Sequence, residues 1–178
     1  MALILHFQST YEYKMEIDFF SKSEIENNFN RIHAIFGTEI FDIENKMNPL
    51  LKSAFIELLI CLHDLMVKTE KYSSRISFDE DIVKSDQVND ITDAVKYMRD
   101  ALCHLDADNH YLEDGDNKAI FNVIYGEGSI YTLFGYVQES YHPDDTCFFY
   151  GSQKIYLKKH ILPAIEEAES KLLPLLSM

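Results

Sequence analysis

Apolar residues return at helical spacing through three stretches of the chain and fall into strand-like runs in a fourth. Leu51, Phe55, Leu58, Leu59, Leu62, Leu65 and Met66 come back to one face every three or four residues, the pattern of a helix with one buried side. Pro49 ahead of them suits a first helical turn, and the helix is expected to run to about Tyr72. Val88, Ile91, Val95, Met98, Leu102 and Leu105 alternate steps of three and four, which builds one narrow apolar seam. Ser85 or Asp86 stands where that helix needs a cap. Upstream, a helix is expected from the Ser21–Ser23 cap to about Lys46, broken near Gly37-Thr38. Residues 1–20 mix aromatic and charged side chains without a clear period and suggest a strand or an irregular arm.

Beyond an acidic loop, Asp106–Lys118, the period changes. Ile120–Tyr125 and Ile130–Val137 are rich in β-branched and aromatic residues, flank Gly126-Glu127-Gly128, and read as a β-hairpin. Thr146–Tyr150 reads as a third short strand after the Pro143-Asp144-Asp145 turn. A last helix is expected from about Ile155 to Leu173, with Pro163 kinking it near its start. No repeat or low-complexity segment interrupts residues 1–178. The expectation is a single domain, mainly α: a helical bundle with a β-hairpin inserted before the last helix.

Composition narrows the function. The 178 residues suffice to bury about two-thirds of the unfolded surface in one core. A formal charge of −14 argues against a broad nucleic-acid surface, which needs clustered Lys and Arg. Any chemistry on RNA would therefore have to use a local basic pocket. Cys61, Cys103 and Cys147 form no CxxC pair and read as reduced core residues of a cytoplasmic protein. Met1–Phe7 lacks the basic start and apolar length of a signal peptide. Leu50–Val67 is interrupted by Lys52, Glu57, His63 and Asp64, so no membrane span is expected.

The candidate chemistry lies at the end of the helix with the narrow seam, in Arg99-Asp100-Ala101-Leu102-Cys103-His104. The chain has three arginines, Arg31, Arg75 and Arg99, so this one does not belong to a generic basic surface. A fixed cation, a carboxylate and a titratable imidazole can cleave an RNA phosphodiester through attack of the 2′-hydroxyl, with no metal or other cofactor. Arg99 would neutralise the phosphate oxygens. His104 would act as general base or acid. Asp100, one turn before His104, could orient the imidazole. On a helical wheel Arg99 and His104 stand about 140° apart, so a second copy of the chain could be needed to complete the set. The plainer reading is that a histidine in a last helical turn answers the macrodipole, with Asp100 as a surface partner.

The stretch Ala94–His104, AVKYMRDALCH, resembles the signature of HEPN domains, the higher eukaryotes and prokaryotes nucleotide-binding superfamily. Arg99, Asp100 and His104 fill the places of its arginine, its polar neighbour and its histidine. Asp100 stands where asparagine is commonest. The resemblance implies a HEPN-like helical bundle that forms a homodimer with the motif helices facing each other. It also implies a metal-independent endoribonuclease of a toxin–antitoxin or defence system, with RNA as substrate and an antitoxin or other protein as partner. The alternative it implies is a catalytically inactive module that binds a partner protein or nucleotide.

Other groupings carry less. Asp106, Asp108 and His110 could form a loose metal site supporting a metal-dependent hydrolase, but the loop lacks the Gly and Glu of an EF-hand and reads as a solvated turn. His63-Asp64 reads as a polar pair that caps an apolar face or contacts a neighbouring helix. His33, His142 and His160 lack metal-ligand spacing. Tyr125, Tyr131, Phe134 and Tyr136 could stack on bases, although aromatics on a half-buried sheet more often form core or interface.

Overall fold

The computed structural model describes residues 16–104, 119–132 and 136–177. Helix α1 (Phe19–Phe36) starts where Asp18 accepts the Ser21 N–H at 2.9 Å. Those bonds hold the exposed Asp18 carboxyl down at about 2. Ile25, Phe29 and Ile32 turn the buried face of α1 inward, and the helix ends at Gly37. A short 3-10 turn (Ile43–Asn45) leads to α2 (Leu51–Tyr72). At 22 residues, α2 is about 33 Å long and forms the spine of the molecule. Phe55, Leu58, Leu59, Leu62, Leu65 and Met66 are all completely buried along it.

Helix α3 (Ile91–Cys103) begins later than the sequence suggests. Ser85 is held in an isolated bridge with Val88, and the cap is Asp90, which accepts the Asp93 N–H at 2.9 Å. Arg75 clamps this start. Its Nε and Nη2 donate to the two oxygens of Asp90 at 2.8 and 3.0 Å, and Nη2 also reaches Asp93 at 2.6 Å. The expected seam is present, with Val88, Ile91, Val95 and Met98 fully buried.

The C-terminal part corrects the expected fold class. Strands β1 (Phe121–Tyr125), β4 (Thr146–Tyr150) and β5 (Gln153–Tyr156) form an antiparallel sheet in the order β1-β4-β5. Strands β2 (Gly128–Tyr131) and β3 (Val137–Ser140) form a second antiparallel pair. With four helices among the described residues, 52% helix and 17% strand, the architecture is mixed α/β and not the expected mainly α, HEPN-like helical bundle with a single hairpin insertion.

The strands flanking Gly126-Glu127-Gly128 do not pair with each other. β1 lies along β4, from Phe121 opposite Tyr150 to Tyr125 opposite Thr146. Gly126 has φ +78°, and a Cβ there would fall 2.8 Å from the Pro143 carbonyl oxygen. The turn therefore docks on the β3–β4 connection. The expected start of the last helix at Ile155 is also corrected, because Gln153–Tyr156 pairs with β4. Ile155 and Tyr156 suit either period, and the ladder closed by Gly151, at φ +60°, decides for strand. A π-helical turn (Leu157–Ile161) follows directly and leads into α4 (Leu162–Leu176), where Pro163 sits in the first turn.

Strand β4 is covered on both faces. Phe148 stacks on Phe55 of α2, ring centroids 4.1 Å apart, and joins the sheet to the main core. Cys147 and Phe149 point the other way, into a smaller cluster with Ile124 and Tyr156. Among the described residues no helix is long and apolar enough to cross a membrane.

Candidate functional site

Helix α2 packs against both α1 and α3, and its apolar positions face the core. What remains outside is a second stripe at the same helical spacing: Ile60, His63, Asp64 and Val67. α1 offers a matching stripe, Glu24, Asn27, Asn28 and Arg31. These two stripes, with Arg99 from the last turns of α3, line an open groove of about 600 Å³.

One end of the groove is fixed by a polar network. The Asp64 carboxylate accepts from Asn28 Nδ2 at 2.6 Å and from the Lys68 ammonium, which also reaches Glu24 at 3.1 Å. Burial opposes the charge on Lys68, but its bonds to Asp64 and Glu24 outweigh that and raise its pKa. Farther along, Arg31 pairs with Glu57 and keeps half of its side chain in solvent.

At the other end Arg99 and Asp100 come together. The Arg99 Nη2 donates to Asp100 Oδ1, and each side chain is about one-quarter exposed. Asp100 therefore turns to the guanidinium of its own neighbour. Arg99 Nε is buried without a hydrogen-bond partner. A buried donor left unpaired costs about 1–3 kcal/mol, and this one sits beside an open groove.

His63 faces this pair. Burial lowers its pKa, with Arg99 and Lys96 acting in the same direction and Asp100 and Asp64 opposing. Its imidazole thus takes up a proton less readily here than in water, beside the Arg99 guanidinium that lines the same groove. The sequence flags His63-Asp64 only as a polar pair; the matching stripes on α1 and α2 are the signal that locates it.

His104 lies elsewhere. It is the exposed C-cap of α3, with φ −110° and ψ 109°, and its N–H donates to the Asp100 carbonyl at 3.0 Å. It is not among the residues that line the groove. Of the three motif residues, the structure brings Arg99 and Asp100 together and leaves His104 one turn beyond, where the backbone turns extended.

The remaining groups are structural. His33 meets Glu169 and His142 meets Asp81, each at 2.9 Å. His160 is fully buried, with Nδ1 accepting the Tyr156 N–H and Nε2 donating to the Glu80 carbonyl. Cys61 and Cys147 are buried as expected, whereas Cys103 is exposed, which corrects its reading as a core residue. Tyr131 is 81% exposed on β2, while the hydroxyls of Tyr125 and Tyr136 are buried. The loop with Asp106, Asp108 and His110, the N-terminal arm as far as residue 15, and Phe134 lie outside the described residues. Among the described residues no three His, Cys, Asp or Glu side chains gather to hold a metal ion. Comparison with protein-family models, curated proteins and solved structures finds no match.

Proposed function

We propose that the chain is a metal-independent endoribonuclease of a toxin or defence type. The observation that carries this reading is the Arg99 guanidinium, presented at an open groove with a buried N–H still to be satisfied. Arg99 binds the phosphate and neutralises the charge that builds on its oxygens, while Asp100 holds the guanidinium in place. His104, solvent-facing at the end of the same helix, exchanges protons with the reacting oxygens. The likeness of Ala94–His104 to the HEPN signature supports the same chemistry. The reading implies a homodimer, which would bring two Arg99–Asp100–His104 sets to one cleft, and an antitoxin or other partner protein that restrains it. It places the protein in the cytoplasm, where RNA is at hand and the free thiols stay reduced.

The second reading is a catalytically silent module that binds a partner protein or nucleotide. It is favoured by the position of His104 outside the groove and by the Asp100 carboxylate that already occupies Arg99.

Incubating the protein with RNA in EDTA separates the two. The ribonuclease reading expects products ending in a 2′,3′-cyclic phosphate and a 5′-hydroxyl, with Arg99→Ala and His104→Ala each nearly inert but folded. A wild-type protein that leaves RNA intact would overturn it and leave the binding module. Cleavage abolished by EDTA would overturn both in favour of a metal-dependent hydrolase.

A further inference from the structure

Cleavage by 2′-hydroxyl attack needs one group to accept a proton and another to supply one. The motif has a single histidine, about 140° around the helix from Arg99. His63 is placed differently: it faces Arg99 from a neighbouring helix and lines the same groove. Among the described residues nothing hydrogen-bonds to either nitrogen of its ring. A half-buried imidazole with its one basic ring nitrogen unengaged, on the same groove as a guanidinium with an unpaired N–H, is the arrangement a base beside a bound phosphate requires.

We propose that His63 is a catalytic base of this groove, taking the 2′-hydroxyl proton of an RNA whose phosphate is held by Arg99. The proposal rests on the ribonuclease reading and assigns it a second histidine. The 2′ O–H bond breaks and its proton passes to the neutral ring of His63. The 2′ oxygen bonds to phosphorus and the bond from phosphorus to the 5′ oxygen breaks. That oxygen takes a proton from His104 of a second copy, which the homodimer reading brings to the same cleft. The products are a 2′,3′-cyclic phosphate and a 5′-hydroxyl, and no water, metal or redox partner is consumed. Charge around His63 comes from Lys96, Arg99 and Asp100 on α3 and Asp64 on its own helix, with Glu24 and Arg31 of α1 across the groove. Burial and the cations keep the ring unprotonated near neutral pH, ready to accept.

The test uses wild type and His63→Gln on a single-site RNA in EDTA between pH 5 and 8, with binding measured on its 2′-O-methyl analogue. The expected result is that H63Q lowers kcat/KM by roughly 10²–10⁴-fold. It should also lose the acidic limb of the pH profile and bind the uncleavable RNA as wild type does. An active wild type with an equally active H63Q, or one that keeps the acidic limb, overturns the role of His63 and spares the ribonuclease reading. An inactive wild type overturns both. Should H63Q fail to fold, the His63 ring proton followed by NMR in wild type decides. Saturating 2′-O-methyl RNA should move its resonance and its titration midpoint, and an unmoved resonance overturns the proposal.

Discussion

The guanidinium of Arg99 is turned back onto the carboxylate of its own neighbour, Asp100. Each moderates the other: the carboxylate keeps the cation oriented but competes with any phosphate that approaches. Replacing Asp100 with Asn keeps the shape and removes the competing charge. D100N should therefore bind a 2′-O-methyl RNA several-fold more tightly than wild type, on the order of 1 kcal/mol for a partly exposed ion pair. The gain should shrink as salt rises, and Arg99→Met should bind more weakly. Fluorescence anisotropy at two salt concentrations checks this, and a D100N protein that binds more weakly contradicts it.

His160 sets a pH dependence of stability. Burial lowers its pKa, as does Lys159, against the opposing hydrogen bond to the Glu80 carbonyl and the charges of Asp81 and Asp145. Its Nδ1 is committed as an acceptor and cannot take a proton without losing the Tyr156 N–H. The unfolded chain binds a proton at an ordinary value near 6.5, whereas the folded chain does so only at lower pH. The unfolded state thus holds more protons in that window, and stability falls as pH drops below about 6.5. His63 acts with the same sign in the same window. Thermal unfolding between pH 7 and 5 should show a falling Tm, flattened only when His160→Asn is combined with His63→Gln. The Asp18 carboxyl, at about 2, contributes in acid below this range.

The fork of Arg75 on Asp90 and Asp93 ties the α2–α3 connection to the first turn of α3. Arg75→Ala leaves the nearly buried Asp90 carboxylate without its cation. The expected cost is about 2 kcal/mol, in the range for hydrogen bonds to charged groups. Arg75→Lys should recover little, because an ammonium cannot span both carboxylate oxygens. Urea unfolding with an unchanged slope and a lower midpoint would show it.

Phe148 is fully buried and stacked on Phe55. Phe148→Ala should destabilise the protein by about 3–5 kcal/mol, the range for emptying a large aromatic from a core. A loss below 1 kcal/mol in urea unfolding would mean that sheet and helices do not share a core.

The helices were legible where spacing alone decides them. Leu51–Met66 and Val88–Met98 carry their faces in the order of residues, and both faces are buried as read. The start of α3 was not, since Ser85, Asp86 and Asp90 are all capping types and the clamp by Arg75, distant in sequence, selects Asp90. Strand pairing was legible only in part. β1 and β4 were visible as strands, whereas the expected strand Ile130–Val137 takes in the end of β2 and the start of β3, and the partners depend on long-range ladders that periodicity does not encode. In the site, Arg99 and Asp100 stood out as a motif. His63 did not, because its place on the groove depends on how α2 is rotated against α3, a property of packing and not of either helix alone.

Strand β4 carries alternate residues into two separate interiors. It is therefore a common wall, and the helical layer and the smaller aromatic cluster can come apart only by dismantling it. Loosening at Phe148 should be felt beneath Phe149 and Tyr156 as well, so the two halves of the chain should melt as one cooperative unit.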